Sequence, residues 1–302
     1  MFARTTILLA ALATFTFPPP SPRPPVPVAP GLLSGLVWRN LGPFRGGRIS
    51  AVSGAIGQPG VFYIGLPLGG LWKTTSAGET WTPILDGLTA VSSVGAVAVA
   101  PSDANIVYVG TGDAINFFND GNGLYKSADA GKTWQHLGLG DTKQIPSILV
   151  DPKDPDLVLI AALGDAHKKS ETRGVFRSTD GGKTWTKTLY VDDTTGLQRL
   201  AWAPDHPEVM LAVSQRHYNP PPTGPLVVPA AGGAGAGGGG GGGGPQTGPT
   251  QTKLFKSTDK GLTWHEIPGA SGGLPRLVGR TYVAVAMNTN AQRMFLIGNF
   301  GL

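Results

Sequence analysis

The sequence predicts an all-β fold, namely a β-propeller of four-stranded antiparallel blades, from three observations. A turn motif of the form Ser-x-Asp-x-Gly-x-Thr-Trp occurs four times, three of them intact, and a strand-turn-strand phrase recurs in phase with it. Their common period is about 50 residues, which is typical of a repeat architecture. The composition of 46 glycines and 27 prolines in 302 residues, without a helix-periodic stretch, is typical of a turn-rich β protein.

The turn motif has the residues that a tight hairpin needs. We name its copies box 1 (Thr74 to Trp81), box 2 (Ser127 to Trp134), box 3 (Ser178 to Trp185) and box 4 (Ser257 to Trp264). The aspartate can accept backbone N–H groups, the glycine can adopt a positive φ, and the tryptophan can pack into the core. In box 1 Ser76 replaces the aspartate. The residues predicted to be structural are Ser127, Asp129, Gly131, Trp134, Ser178, Asp180, Gly182, Trp185, Ser257, Asp259, Gly261 and Trp264.

The second phrase completes each repeat. Its prolines, Pro101, Pro152 and Pro204, are 51 and 52 residues apart. Each copy predicts two short strands joined by a polar turn, so every period holds four antiparallel strands when the box hairpin is added. Four such strands make one propeller blade.

The repeats predict about four and a half blades within residues 36–302. The proline- and glycine-rich residues 219–250 are an insertion between the second and third strands of blade 4. The predicted bounds are Arg48 to Leu85 for blade 1, Val94 to Leu137 for blade 2, Pro146 to Val191 for blade 3, Leu197 to Ile267 for blade 4, and Thr281 to Ala286 with Met294 to Ile297 for the start of blade 5.

The first 35 residues are not expected to belong to the fold. Residues 1–17 carry a short apolar run, Ile7 to Ala13, which predicts a signal peptide and is too short to span a membrane. Residues 18–35 form a proline-rich linker. Export to a bacterial periplasm, cell surface or the extracellular space is therefore expected, with no transmembrane span after signal cleavage.

Residues 36–41 are similar to the fourth strand of a blade whose other three strands do not precede them. Such a strand closes a propeller by completing the last blade. The propeller is therefore expected to be incomplete, through either a truncated reading frame or completion by another chain that supplies the missing blades.

Several functional classes are disfavoured by composition. The absence of cysteine excludes disulfides, thiolate metal sites and cysteine nucleophiles. The five histidines lack paired metal-binding spacings, so neither a metal site nor a cofactor is predicted. The net charge of +5 is spread without long basic runs, so a nucleic-acid partner is not expected.

The boxes resemble the Asp-box (BNR) repeat. The longer stretches WRNLGPFRGGRISAV, GLYKSADAGKTW and GVFRSTDGGKTW resemble exported bacterial propellers grouped with sortilin N-terminal domains and xyloglucanase-like proteins. The resemblance extends from roughly residue 37 to the end, and it implies that the boxes lie on outer hairpins with a structural role. Asp boxes are specific for the fold and poor guides to function.

Ligand sites in propellers gather at one mouth of the central channel, in loops between blades and between second and third strands. Adjacent aromatics flanked by Asp and Asn, as in Asn116, Phe117 and Phe118, suit stacking on a sugar or gripping a peptide, although they could also pack on their own loop. The candidate ligand-binding residues are Arg45, Arg48, Asp113, Asn116, Phe117, Phe118, Asp165 and His167; Phe44, Asp120, Arg173 and residues 215–218 lie in the same loops.

The sequence is interpreted as a non-catalytic module that binds a peptide, protein or glycan. The alternative is a glycoside hydrolase, xyloglucanase-like or sialidase-like, in which Asp113 and Asp165 would face each other across the scissile bond. The stretch FYIGLPLGGLWK is similar to the xyloglucanase segment whose catalytic aspartate lies two residues before the Gly-Gly pair, but Pro67 occupies that position here. Proline cannot act as an acid, base or nucleophile. The sialidase alternative is weaker, because Arg45 lacks the Ile-Pro that usually follows the arginine.

Overall fold

A computed structural model describes residues 48–88, 91, 93–113, 119–218, 252–269 and 277–300. The predicted signal peptide, linker, closing strand at 36–41 and insertion at 219–250 lie outside these residues. The described part belongs to one compact unit, Gly46–Leu302.

The described residues form 18 β-strands and a short 3₁₀ helix, Gly140–Thr142. Blade 1 contains β1 (Ala51–Gly54), β2 (Phe62–Leu66), β3 (Gly70–Thr74) and β4 (Thr82–Pro83). Blade 2 contains β5 (Val94–Ala100), β6 (Asp103–Thr111), β7 (Leu124–Ser127) and β8 (Gln135–His136). Blade 3 contains β9 (Ser147–Val150), β10 (Val158–Ala162), β11 (Gly174–Ser178) and β12 (Thr186–Leu189). Blade 4 contains β13 (Thr195–Ala203), β14 (His206–Arg216), β15 (Leu254–Ser257) and β16 (His265–Ile267), and a fifth sheet contains β17 (Leu277–Val285) and β18 (Met294–Phe300).

Every sheet is antiparallel, and its strands are paired in chain order. The first strands of consecutive blades, β1, β5, β9, β13 and β17, contact one another and therefore form the inner side of the arc. The predicted all-β propeller of four-stranded blades is confirmed. The small residues and short polar turns recognised in the sequence account for this architecture, because each blade needs only local hairpins to form.

The hydrophobic core lies between the blades. Leu200, Ala212 and Phe255 form one row across blade 4 and pack against Leu159 and Val175 of blade 3. Equivalent clusters lie between blades 1 and 2 and between blades 2 and 3. Each blade is thus stabilised chiefly by burying apolar surface against its neighbours.

Each box closes a hairpin with its own side chains. In box 3, the buried Ser178 hydroxyl accepts the N–H of Gly182 at 2.8 Å and donates to Asp180 at 2.7 Å. Asp180 also accepts the N–H and the hydroxyl of Thr184 at 2.9 and 2.6 Å. These bonds, led by that from the Thr184 hydroxyl, hold the pKa of Asp180 well below its usual range. Boxes 2 and 4 repeat this pattern.

The boxes also join neighbouring blades. The indole of Trp134 is half-buried and packs against the hydrophobic core between blades 1 and 2, as the sequence predicted, and its N–H donates to the Ile84 carbonyl of blade 1. The residue directly before each of the first three boxes is basic and reaches the next blade. These contacts run from Lys73 to the Ala130 carbonyl at 2.8 Å, from Lys126 to the Asp156 carboxylate at 3.0 Å, and from Arg177 to the Lys260 carbonyl at 3.1 Å.

Candidate functional site

The predicted mouth residues lie at one edge of the blades. Arg48 precedes β1, whereas Asp113 follows β6 and Asp165 follows β10. The start of a first strand lies beside the end of a second strand in an antiparallel pair, as the pairing of Ala51 with Gly65 shows. These loops therefore emerge on the same side.

An ion pair joins the first two blades at this edge. The Arg48 guanidinium donates to the carboxylate of Asp113, whose side chain is only 1% exposed. The backbone N–H of Asp113 also donates to the Asn119 carbonyl at 3.0 Å. Asp113 is thus held between two blades by a charged partner, which removes it from solvent.

Arg173 organises the mouth loop of blade 3. Its fully buried guanidinium donates to four backbone carbonyls, those of Leu163, Asp165, Lys168 and Asp193. Burial lowers the pKa of Arg173 to about 10, so the group remains charged at neutral pH. The loop is therefore shaped around a single cation that satisfies its carbonyl groups.

Asp165 and His167 lie on the loop that Arg173 organises. The half-buried Asp165 carboxylate accepts the N–H of the exposed His167 at 2.8 Å. His217 is buried near them, and desolvation, assisted by the charge of Arg173, lowers its pKa to about 3. The imidazole of His217 is therefore neutral at physiological pH.

The candidate residues thus form two groups within the described part of the chain. Arg48 pairs with Asp113, and Asp165 lies beside His167. Asp120 is exposed. The other candidates, Phe44, Arg45, Asn116, Phe117 and Phe118, lie outside the described residues.

A cavity of about 310 Å³ occupies the channel side of the arc. Its wall is formed largely by the first strands of blades 1 to 3, with one residue from blade 4. That residue is Arg199, whose guanidinium carbon lies 5.0 Å from the ring centroid of Tyr282 on β17. The other lining residues are uncharged: five are small, namely Ser50, Ala51, Gly95, Ala96 and Ser147, and five are larger and apolar, namely Ile49, Val52, Val97, Pro146 and Ile148.

Sequence reasoning missed Arg199. The repeats contain a signal that could have identified it. The equivalent inner-strand positions of the other three blades hold the small residues Ala51, Ala96 and Ser147, whereas blade 4 holds an arginine. The described residues include no cluster of three or more His, Cys, Asp or Glu residues arranged to hold a metal ion. They also contain no helix with the length and apolar character needed to cross a membrane.

A sequence model for Sortilin-Vps10, described as sortilin, neurotensin receptor 3, matches residues 69–220, which is half of the chain. The chain belongs to the Sortilin-Vps10 family. The match covers blade 2, blade 3 and parts of blades 1 and 4.

This Sortilin-Vps10 chain is also similar to xyloglucanases. It is 26% identical to a xyloglucanase of Paenibacillus sp over 78% of this chain and 22% of the relative. A xyloglucanase of Hypocrea jecorina (strain QM6a) is 29% identical over 50% of this chain and 19% of the relative. The chain therefore spans about a fifth of the length of these two relatives.

The fold of this Sortilin-Vps10 chain is similar to that of a solved ancestral GH74 enzyme. The two are 18% identical with a TM-score of 0.50, over 85% of this chain and 35% of the enzyme. At this level of identity the likeness concerns the fold alone.

Proposed function

We propose that this chain is an exported, non-catalytic propeller module that binds a peptide, protein or glycan at its channel and channel mouth. The observation that carries the proposal is the composition of the cavity wall. The described lining residues include one charged side chain, that of Arg199, and no aspartate or glutamate. Such a wall can hold a ligand, but glycoside hydrolysis requires two carboxylates beside the scissile bond.

The positions of the candidate carboxylates support the same proposal. Asp113 is buried in its ion pair with Arg48, so it is not open to a substrate. Pro67 is buried in the turn between β2 and β3 and supplies no acid or base. Of the two carboxylates that the hydrolase alternative would use, Asp113 and Asp165, only Asp165 is partly accessible.

A glycoside hydrolase is the second candidate function. It is favoured by the similarity to xyloglucanases over 78% of the chain and by the accessible position of Asp165 in the mouth loop. In this case Asp165 would act with a carboxylate outside the cavity wall.

Export is part of the proposal and rests on the sequence. The apolar run from Ile7 to Ala13 is typical of a signal peptide, and the absence of cysteine is compatible with a disulfide-free envelope protein. Detection of the N-terminally processed chain in the periplasmic or culture fraction would support it, whereas an unprocessed chain in the cytoplasm would contradict it.

Turnover measurements separate the two functions. The full chain should release no reducing sugar from xyloglucan or β-glucan oligosaccharides, while glycan and peptide arrays should detect binding. Asp165→Asn and Asp113→Asn test the hydrolase, and Asp141→Asn, at an exposed aspartate on the 3₁₀ helix, is the matched control. Robust hydrolysis that disappears in Asp165→Asn and persists in Asp141→Asn would overturn the non-catalytic proposal.

A further inference from the structure

The position of Arg199 on the first strand of blade 4 has an equivalent on the first strand of each of the other three blades. Ala96, Ser147 and Arg199 each pair with a second-strand residue immediately beside an apolar pair that faces the preceding blade. Ala51 occupies the same place in blade 1, beside the pair of Val52 and Ile64. In three blades this position is small, which leaves the space that forms the cavity. In blade 4 it holds the largest cationic side chain.

Apart from the ring of Tyr282, the charge of Arg199 has no partner among the described residues. Its Nε atom is buried without a hydrogen-bond partner, and Arg199 forms none of the ion pairs found in the described part of the chain. Leaving a buried donor unsatisfied is costly, and a cation facing a cavity raises the local concentration of anions. A buried, unpaired donor beside a cavity points to a ligand as its partner.

The residues at the cavity indicate which class of ligand would bind there. A planar guanidinium matches a carboxylate in two parallel hydrogen bonds. The ring of Tyr282 beside it is 47% exposed, so part of the aromatic surface remains open. The volume of about 310 Å³ lies at the small end for ligand sites, and glycine, alanine and serine allow a sugar ring to approach the backbone closely.

We propose that the channel cavity binds the carboxylate of an acidic sugar residue, with Arg199 as the anion-binding group and Tyr282 as the stacking surface. This inference rests on the proposed binding function and specifies its ligand as a uronic-acid glycan. The alternative carboxylate source, an acidic peptide, is distinguished by the experiment.

Calorimetric titration of the full chain with oligogalacturonates, neutral galactan oligomers of equal length and an acidic peptide tests the proposal. Oligogalacturonates should bind, more weakly at high salt, and the neutral oligomers should not. Arg199→Gln should weaken the binding about tenfold or more, because it removes charge-assisted hydrogen bonds. Tyr282→Ala should also weaken it, whereas Arg293→Gln, the same charge change on the exposed turn between β17 and β18, should not.

A second variant separates ligand binding from folding. Arg199→Ser gives blade 4 the residue type that blade 3 has at Ser147, so the melting temperature should be unchanged or higher while oligogalacturonate binding is lost. A large fall in melting temperature would show a structural role and overturn the proposal. Equal binding of neutral oligomers, unchanged binding in Arg199→Gln, or capture of the acidic peptide alone would also overturn it, while the broader binding function would stand. Hydrolysis of neutral glycans would instead contradict the proposed function.

Discussion

The indole N–H of Trp134 in blade 2 donates to the backbone carbonyl of Ile84 in blade 1 at 2.9 Å. At the same interface between blades 1 and 2, Lys73 of blade 1 donates to the carbonyl of Ala130 in box 2. One box therefore exchanges hydrogen bonds with its neighbour in both directions. The boxes serve as connectors between blades as well as turns within them.

Replacing Trp134 with phenylalanine tests this connector. The variant keeps most of the apolar surface but leaves the Ile84 carbonyl without its donor, so the free energy of unfolding should fall by about 1 kcal/mol. Chemical denaturation measures the change. Trp81→Phe is the control, because the Trp81 indole donates to Gly78 within its own box. An equal loss of unfolding free energy in both variants would contradict a role of Trp134 in joining blades 1 and 2.

Ser178→Ala tests the internal hydrogen bonds of box 3. The substitution leaves the buried N–H of Gly182 without an acceptor, which should lower the free energy of unfolding by about 1–3 kcal/mol. Ligand affinity should not change, because the box lies on a hairpin away from the cavity wall. Thr186→Ala, at an exposed position on β12, is the control. Lost binding at unchanged stability would refute the structural role.

Acid should weaken the boxes. Burial opposes the ionised form of Asp259, but hydrogen bonds from Thr263 and Ser257 outweigh it and lower its pKa from 3.8 to about 2. Because the folded pKa lies below the unfolded pKa, this stabilisation is complete above about pH 4 and is lost as the pH falls towards 2. Denaturation midpoints measured from pH 5 to 2 should fall less steeply for Asp259→Asn than for the wild type. Parallel curves would contradict the prediction.

His217 should give a separate pH dependence in a higher range. Its folded pKa of about 3 lies below the ordinary value of 6.5, so the unfolded chain binds a proton first as the pH falls. Stability should therefore be complete above about pH 6.5 and decline between pH 6.5 and 3. His217→Gln should flatten this part of the profile, whereas His265→Gln, at an exposed residue, should leave it unchanged. A wild-type profile without a decline between pH 6.5 and 4 would refute the assignment.

The blades could be predicted from the sequence because their information is local. Ser178 and Asp180 bond within one short hairpin, so the motif itself specifies the turn. The hydrogen bond of the Trp134 indole joins it to Ile84, which is 50 residues away in the sequence, and no local sequence pattern predicts that contact. Arg48 and Asp113 were both nominated for the channel mouth, but their pairing across 65 residues became visible only in the fold.

Arg199 could not be recognised by alternation alone. The register of β13 against β14 shifts between Leu197 and Arg199, so counting in steps of two along the strand places the arginine on the wrong side. The comparison with Ala96 and Ser147 was available, because these residues and Arg199 lie five residues before Pro101, Pro152 and Pro204, but that all three positions line one cavity is visible only in the fold. The cavity was missed for the same reason, because it is bounded by several blades rather than by one segment.

The equivalent inner-strand positions of blades 1 to 4 hold alanine, alanine, serine and arginine, and this variation bears on how the ligand preference of such a protein can evolve. The hydrogen bonds between boxes and neighbouring blades lie on the outer hairpins, so they do not constrain what stands at the inner position. One codon change per blade can therefore alter the polarity of the channel without disturbing the connectors that hold the blades together. Members of a lineage with this scaffold could exchange one ligand chemistry for another in single mutational steps.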